Sequence, residues 1–141
     1  MKFFPLATHR VAGRSMVPTF VPSHRVLVNK VSYALRSPRT GDIVVLKHPS
    51  AEALLVKRVI AGEGSEVTLR YGRLFVDNKP ADSIVGKDMM SADTVAQWRV
   101  PKGKYFVAGD NLHASTDSRH FGCVAKKHIK GKVIGSFLLE E

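Results

Sequence analysis

A single cysteine, Cys123, stands in the 141 residues, so no disulfide can form within the chain. Set between Gly122 and Val124, it reads as a packing residue, because free cysteine is commonly buried. Long apolar runs are missing too: nothing approaches the roughly 18 residues that would cross a membrane, which predicts a soluble or peripheral chain. The opening Met1-Lys2-Phe3-Phe4-Pro5-Leu6-Ala7 is basic and then apolar, but it is shorter than a signal-peptide core of about 7–15 residues. The histidines His9, His24, His48, His113, His120 and His128 show no compact metal spacing such as His-Glu-x-x-His, so neither a metal nor another cofactor is expected. Aromatics are few and dispersed. Tyr33, Tyr71, Tyr105 and Trp98 do not interleave with basic residues as single-strand nucleic-acid binders require, so nucleic acid is not an expected partner. Acidic residues are scarce, 12 against 22 Lys and Arg, leaving a net charge of +10. Such a field attracts anionic headgroups and acidic partners. No basic run exceeds Lys126-Lys127, so no basic tail is present.

What remains is an ordinary globular composition, 44% hydrophobic and 24% charged, in a chain long enough for one domain with a real core. Gly and Pro punctuate it, and short β-branched runs lie between them. Arg25–Val31, Asp42–Leu46, Leu54–Ile60, Tyr105–Ala108 and Lys132–Leu138 read as strands. Glu66–Arg70 and Arg73–Asp77 flank Tyr71-Gly72 as a hairpin, with a further turn at Asp77-Asn78-Lys79-Pro80. Helix is expected only as one turn near Ala125–Ile129, and residues 83–97 read as an irregular excursion. The predicted fold is mostly β, with curved antiparallel sheets forming a partly open barrel. Residues 1–10 are set apart as an N-terminal segment, and residues 11–141 form the domain.

Three segments carry chemistry. Gly13-Arg14-Ser15-Met16-Val17-Pro18-Thr19 offers a hydroxyl that becomes a nucleophile only beside a base, which can be His, an N-terminal amine or Lys. Most such serines simply bond a turn. Gly13 allows the close backbone approach that an oxyanion hole requires. Val56-Lys57-Arg58-Val59-Ile60 places a lysine in an apolar strand, where side chains alternate and one of Lys57 and Arg58 must face inward. Burial would lower the lysine pKa by up to about 3–5 units, towards that of a neutral base. The alternative is an edge lysine facing solvent. The loop Gly109–Arg119 crowds Ser115, Asp117, Ser118 and Arg119 together, and Asp117 can hold Arg119 in a charge-assisted pair. Alone, it fits a cation-binding loop or a polar turn equally well.

Taken in order, the three segments resemble the sequence boxes of the type I signal peptidases. Ser15-Met16-x-Pro18-Thr19 is similar to the nucleophile box and Lys57-Arg58-Val59 to the general-base box. Gly109-Asp110-Asn111-x-x-x-Ser115-x-Asp117-Ser118-Arg119 is similar to the third. Gly41-Asp42-Ile43-Val44 and Val100-Pro101-x-Gly103-x-Tyr105-Phe106-Val107 match two further segments, so the resemblance runs from about residue 11 to 137. It implies a serine endopeptidase in which Ser15 attacks, Lys57 is the general base and Ser115 orients the amine, with Asp117 and Arg119 in support. The oxyanion would be held by the Ser15 amide and, where some members use a serine hydroxyl, by the Gly13 backbone N–H. Met16, Phe20, Leu55 and Val56 match positions lining a pocket for small residues, the first and third before the cut. The implied partners are preprotein signal peptides at an anionic membrane surface. The implied location is the extracytoplasmic face of a bacterial plasma membrane, with residues 1–10 a possible anchor remnant. A mitochondrial inner-membrane peptidase is the alternative within the family, and a basic nucleic-acid-binding β-barrel the distant one.

Overall fold

The computed structural model describes residues 4–81 and 95–138. Among the described residues, eleven strands form two antiparallel sheets. In chain order they are β1 (Leu6–Arg10), β2 (Arg25–Asn29), β3 (Ile43–Lys47), β4 (Leu54–Ala61), β5 (Glu66–Arg70), β6 (Arg73–Val76), β7 (Lys79–Pro80), β8 (Val95–Arg99), β9 (Lys104–Ala108), β10 (Val124–Ala125) and β11 (Ile129–Phe137). The larger sheet runs β1-β2-β11-β3-β4-β9-β10, and the smaller runs β7-β6-β5-β8. Register breaks within β11, at Ile129/Gly131 and Val133/Gly135, and opposite β9 at Val59/Ala61 bend the large sheet. An extra residue on one strand increases local twist, so the sheet curls into a half-barrel. The expected mostly-β, partly open barrel is the observed architecture.

The apolar runs form the strands they suggest because their buried faces meet. Val44, Val45 and Leu46 of β3 lie beside Val56, Val59 and Ile60 of β4, all at most 7% exposed. The hairpin turns at Tyr71 and Gly72, both at positive φ, and pairs Val67 with Val76 and Leu69 with Leu74. Asp77 and Asn78, also at positive φ, turn the chain into β7.

Three local expectations are corrected. Residues 83–94 of the stretch read as irregular lie outside the described residues, but Val95–Arg99 is a regular strand, paired with β5 from Glu66↔Arg99 to Arg70↔Val95. The turn near Ala125–Ile129 is a 3-10 turn over Lys126–His128, not α-helix. The α-helix lies elsewhere, at Ser118–Phe121 (α1), started by the Asp117 side chain accepting from the Arg119 N–H. Leu6–Arg10 of the N-terminal segment is a strand of the main sheet, paired with β2 from Leu6↔Asn29 to Arg10↔Arg25.

Candidate active site

Ser15 lies in the loop joining β1 to β2. That loop is closed at its base by Val11 N–H to His24 O (2.8 Å) and Ser23 N–H to Val11 O (3.2 Å). Met16 is fully buried and Phe20 nearly so, and both pack with Val11, Val26, Val28, Val45 and Val56, pinning the loop to the sheet by apolar burial. The loop after β9 grips it from the other side. Asn111 donates its backbone N–H to Ser15 O (2.8 Å) and its Nδ2 to Arg14 O (3.1 Å). The Thr19 hydroxyl donates to Asp110.

Lys57 sits mid-strand in β4, opposite Val44 of β3, and is 3% exposed. Its neighbour Arg58 points to the other face, as strand alternation demands. There Arg58 makes a bidentate pair with Asp110, Nε to Oδ1 at 2.8 Å and Nη2 to Oδ2 at 2.7 Å, and Nη1 reaches Gly41 O at 3.0 Å. The Asp110 hydrogen bond raises the Arg58 pKa, so this guanidinium stays charged. Consecutive residues thus do opposite things: one cation is locked to a carboxylate, and the other has been removed from water.

The Lys57 Nζ donates to Ser115 Oγ at 3.0 Å. Ser115 Oγ in turn donates to Asp117 Oδ2 at 2.6 Å and accepts from the Gly109 N–H at 3.1 Å. A carboxylate can only accept, so the Ser115 proton is committed to Asp117 and a lone pair faces Lys57. Asp117 is fully buried and is met by Arg119, Nε to Oδ1 at 2.9 Å and Nη2 to Oδ2 at 3.2 Å. Arg119 also ties the loop together through Leu112 O (2.8 Å) and Ser115 O (3.1 Å). Burial moves the Lys57 pKa from 10.5 down to about 8; Asp117 opposes the shift and Arg119 adds to it. Loss of hydration outweighs the nearest carboxylate because Arg119 already largely neutralises that carboxylate.

Ser15 and Lys57 line one cavity of about 140 Å³ together with His9, Val11, Ala12, Leu54, Leu55 and Val56. Ser15 makes no side-chain hydrogen bond among the described residues, which fits an apo site whose contacts tighten on binding. Of the expected pocket residues, Leu55 and Val56 face this cavity, whereas Met16 and Phe20 pack in the apolar cluster that backs it. Gly13 has φ +73°, a conformation that favours glycine. Among the described residues, neither the Gly13 nor the Ser15 N–H has an acceptor.

Five contributors escape a residue-by-residue reading. Asp110 and Asn111 read as turn residues yet anchor the nucleophile loop, and Arg58 and His9 drew no role. The signal for Arg58 was its alternation with an inward lysine, which puts a second cation on the opposite face in need of a carboxylate. Gly109 also reads as a turn glycine, but its φ is not positive. It is needed for close approach: a Cβ there would lie 2.7 Å from Ser115 Cβ and 2.5 Å from Ser15 O. Any side chain would force apart the two loops that meet at the site.

With this geometry in place, the comparisons are specific. The family model "Signal peptidase, peptidase S26" matches residues 1–138. The chain belongs to that family. Signal peptidase I V of Bacillus subtilis is 38% identical over 138 residues, covering 89% of this chain and 82% of that protein. Signal peptidase I of Bacillus caldolyticus is 34% identical over 146 residues, covering 94% and 80%. Thylakoidal processing peptidase 1 of Arabidopsis thaliana is 34% identical across 88% of this chain but only 39% of its own length. The crystal structure of a signal peptidase I from Enterococcus faecalis shares the fold, with a TM-score of 0.53 at 24% identity over 70% of this chain and 98% of that one. Among the described residues of this signal peptidase family member, no helix is long and apolar enough to cross a membrane.

Proposed function

We propose that this chain is a serine endopeptidase that removes signal peptides from exported preproteins by a Ser15–Lys57 dyad. The observation carrying this reading is a buried lysine amine, with its pKa lowered to about 8, in the same cavity as a serine whose hydroxyl has no partner among the described residues. A neutral amine at Lys57 takes the Ser15 proton as Oγ attacks the scissile carbonyl. The bond to Ser115 engages one N–H, and the lone pair is left to face away from that bond, toward the cavity. The oxyanion is met by the N–H groups of Ser15 and Gly13. Collapse of the tetrahedral intermediate breaks the C–N bond, and Lys57 returns the proton to the leaving amine. A water, deprotonated by the same amine, then hydrolyses the Ser15 ester.

The cavity is small, about 140 Å³, with Leu55 and Val56 in its lining and Met16 and Phe20 packed against Val56. Small side chains fit it, which supports cleavage after small residues at the first and third positions. Asp117 and Arg119 act through Ser115 as positioning residues. The test is incubation of a preprotein bearing a signal peptide, in detergent, with wild type and with Ser15→Ala. Wild type should release the mature protein and Ser15→Ala should not; equal cleavage by both would refute the assignment.

The same chain would work at an anionic membrane surface on the extracytoplasmic side. Supporting this are the net charge of +10 and the exposed Phe4, Leu6, Phe137 and Leu138 on the β1 and β11 segments. Binding to anionic vesicles should weaken as salt shortens the screening length to about 8 Å and below. Equal binding to neutral vesicles would refute the electrostatic part.

A further inference from the structure

Ser115 is aimed by Asp117, and Asp117 is itself held by a residue outside the cavity. The backbone N–H of Asp117 donates to His120 Nδ1 at 3.1 Å. Asp117 is fully buried, and an N–H enclosed there needs an acceptor. The carboxylate at the other end of the residue is already taken. Oδ2 receives the Ser115 proton, while Oδ1 receives the Arg119 backbone N–H at 3.2 Å and its Nε at 2.9 Å. With both ends bonded, neither the backbone nor the carboxyl of Asp117 is free to turn.

His120 can hold Asp117 because helix α1 is pinned on both sides of it. Ser118 is fully buried, and its Oγ accepts from the Val107 N–H of β9 at 2.9 Å. Phe121 packs against the cluster containing Val59 and Val107, with its ring 4.9 Å from that of His48. Between these anchors, the His120 backbone N–H returns to Asp117 O at 2.8 Å. The usual residue at this third helical position is glutamate or glutamine, whose side chain reaches back to the N–H of the capping residue. A glutamate would set a second negative charge beside Asp117. His120 Nδ1 lies 3.8 Å from Asp117 Oδ1, and a ring that accepts through Nδ1 and carries its proton on Nε2 is neutral. It supplies the acceptor and leaves the Arg119–Asp117 pair undisturbed.

We propose that His120 is a positioning residue for the dyad: its Nδ1 fixes Asp117, Asp117 fixes Ser115, and Ser115 aims the Lys57 amine. The inference rests on the peptidase reading above. His120 does not line the cavity that holds Ser15 and Lys57, so its effect falls on the base and not on substrate binding. Its side chain is 52% exposed, so in His120→Ala water can reach the Asp117 N–H. The fold then survives, while the fixed direction of Asp117 is lost.

The experiment measures kcat and KM separately on an Ala-x-Ala peptide at about pH 9, above the Lys57 midpoint near 8, with thermal melting to confirm folding. His120→Ala should lower kcat about fivefold, the scale of one neutral hydrogen bond, and leave KM within about twofold. His120→Gln, whose Oε1 can accept in the same place, should bring kcat back to within about twofold of wild type. In a Ser115→Ala background, His120→Ala should cost less than about twofold more, because the link from His120 to Lys57 is already cut. Wild-type kcat in His120→Ala overturns the positioning role, as does a glutamine variant as slow as the alanine one. A fivefold loss that persists in the Ser115→Ala background also overturns it, since His120 would then act on the fold and not through Ser115. Each of these leaves the peptidase intact. Failure of wild type to cut any peptide or preprotein overturns the peptidase reading, and the role of His120 with it.

Discussion

The two sheets bury different kinds of side chain. Around the small sheet the core is apolar throughout: Ile60, Val67, Leu69, Leu74, Val100 and Phe106 are at most 5% exposed, with Trp98 packed on Phe106 at 5.2 Å between ring centroids. At the β4–β9 end of the large sheet, Lys57, Asp110, Ser115, Asp117 and Ser118 are buried instead, all in or against the loop that follows β9. Buried polar groups are costly unless bonded, and each of these has a partner. Lys57, the one cation among them, bonds a hydroxyl rather than a carboxylate. One region stabilises the fold, and the other holds an amine in a state that folding disfavours. Substitutions should therefore separate activity from stability according to the region they fall in.

The sharpest separation is at the dyad. Ser15→Ala and Lys57→Met should each reduce kcat/KM by at least about a thousandfold, and the double variant should be no worse than either single, because the two act as a unit. Thermal melting should show Lys57→Met folded and no less stable than wild type, since an apolar chain of similar length replaces a desolvated amine. Near-normal turnover in Lys57→Met would move the base elsewhere. Next is Gly109→Ala, whose added methyl would push Ser115 and Ser15 O apart. It should lose about a hundredfold in kcat/KM and also melt lower, measured by single-substrate kinetics and calorimetry. Ser115→Ala should cost about tenfold or more, the scale of a misoriented base, while the fold survives. The smallest effect on activity belongs to Leu74→Ala, fully buried in the small-sheet core. It should lower stability by about 2–5 kcal/mol in denaturant titration but leave kcat/KM per folded molecule within about twofold.

Much of this division was legible in the residues, and the reasons for the rest are physical. Strands β2 to β6 and β9 announced themselves because at least one of their faces is apolar and buried, and β11 did so by its Val133-Ile134 and Phe137-Leu138 composition although that half of the strand is half-buried or exposed. β1 and β8 did not. Each alternates between exposed and half-buried positions with no fully buried residue, so neither leaves a hydrophobic period to read. The four-residue helix α1 is set by one cap, Asp117, and is too short for a periodic signal. In the site, Ser15, Lys57, Ser115, Asp117 and Arg119 could be named from their box-like spacing. The Arg58–Asp110 pair could not, because 52 positions separate the partners and only the β4–β9 pairing brings them together.

The lowered Lys57 pKa also links stability to pH. The folded chain binds fewer protons at this site than the unfolded chain between about 8 and 10.5, so this group's contribution to stability grows as pH rises through that window and is smallest below it. Lys57→Met should lose that slope.

The most direct test of the account is the pH dependence of kcat/KM on an Ala-x-Ala peptide. Lys57 acts only when neutral, so activity should rise with pH through a single ionisation near 8, and the optimum should be alkaline. His9 is the histidine lining the cavity, and burial holds its pKa below the usual 6.5, so His9→Gln should leave that midpoint in place. An acidic limb centred near 6.5 or lower that disappears in His9→Gln or in another histidine variant would make the base an imidazole and contradict the Ser–Lys mechanism.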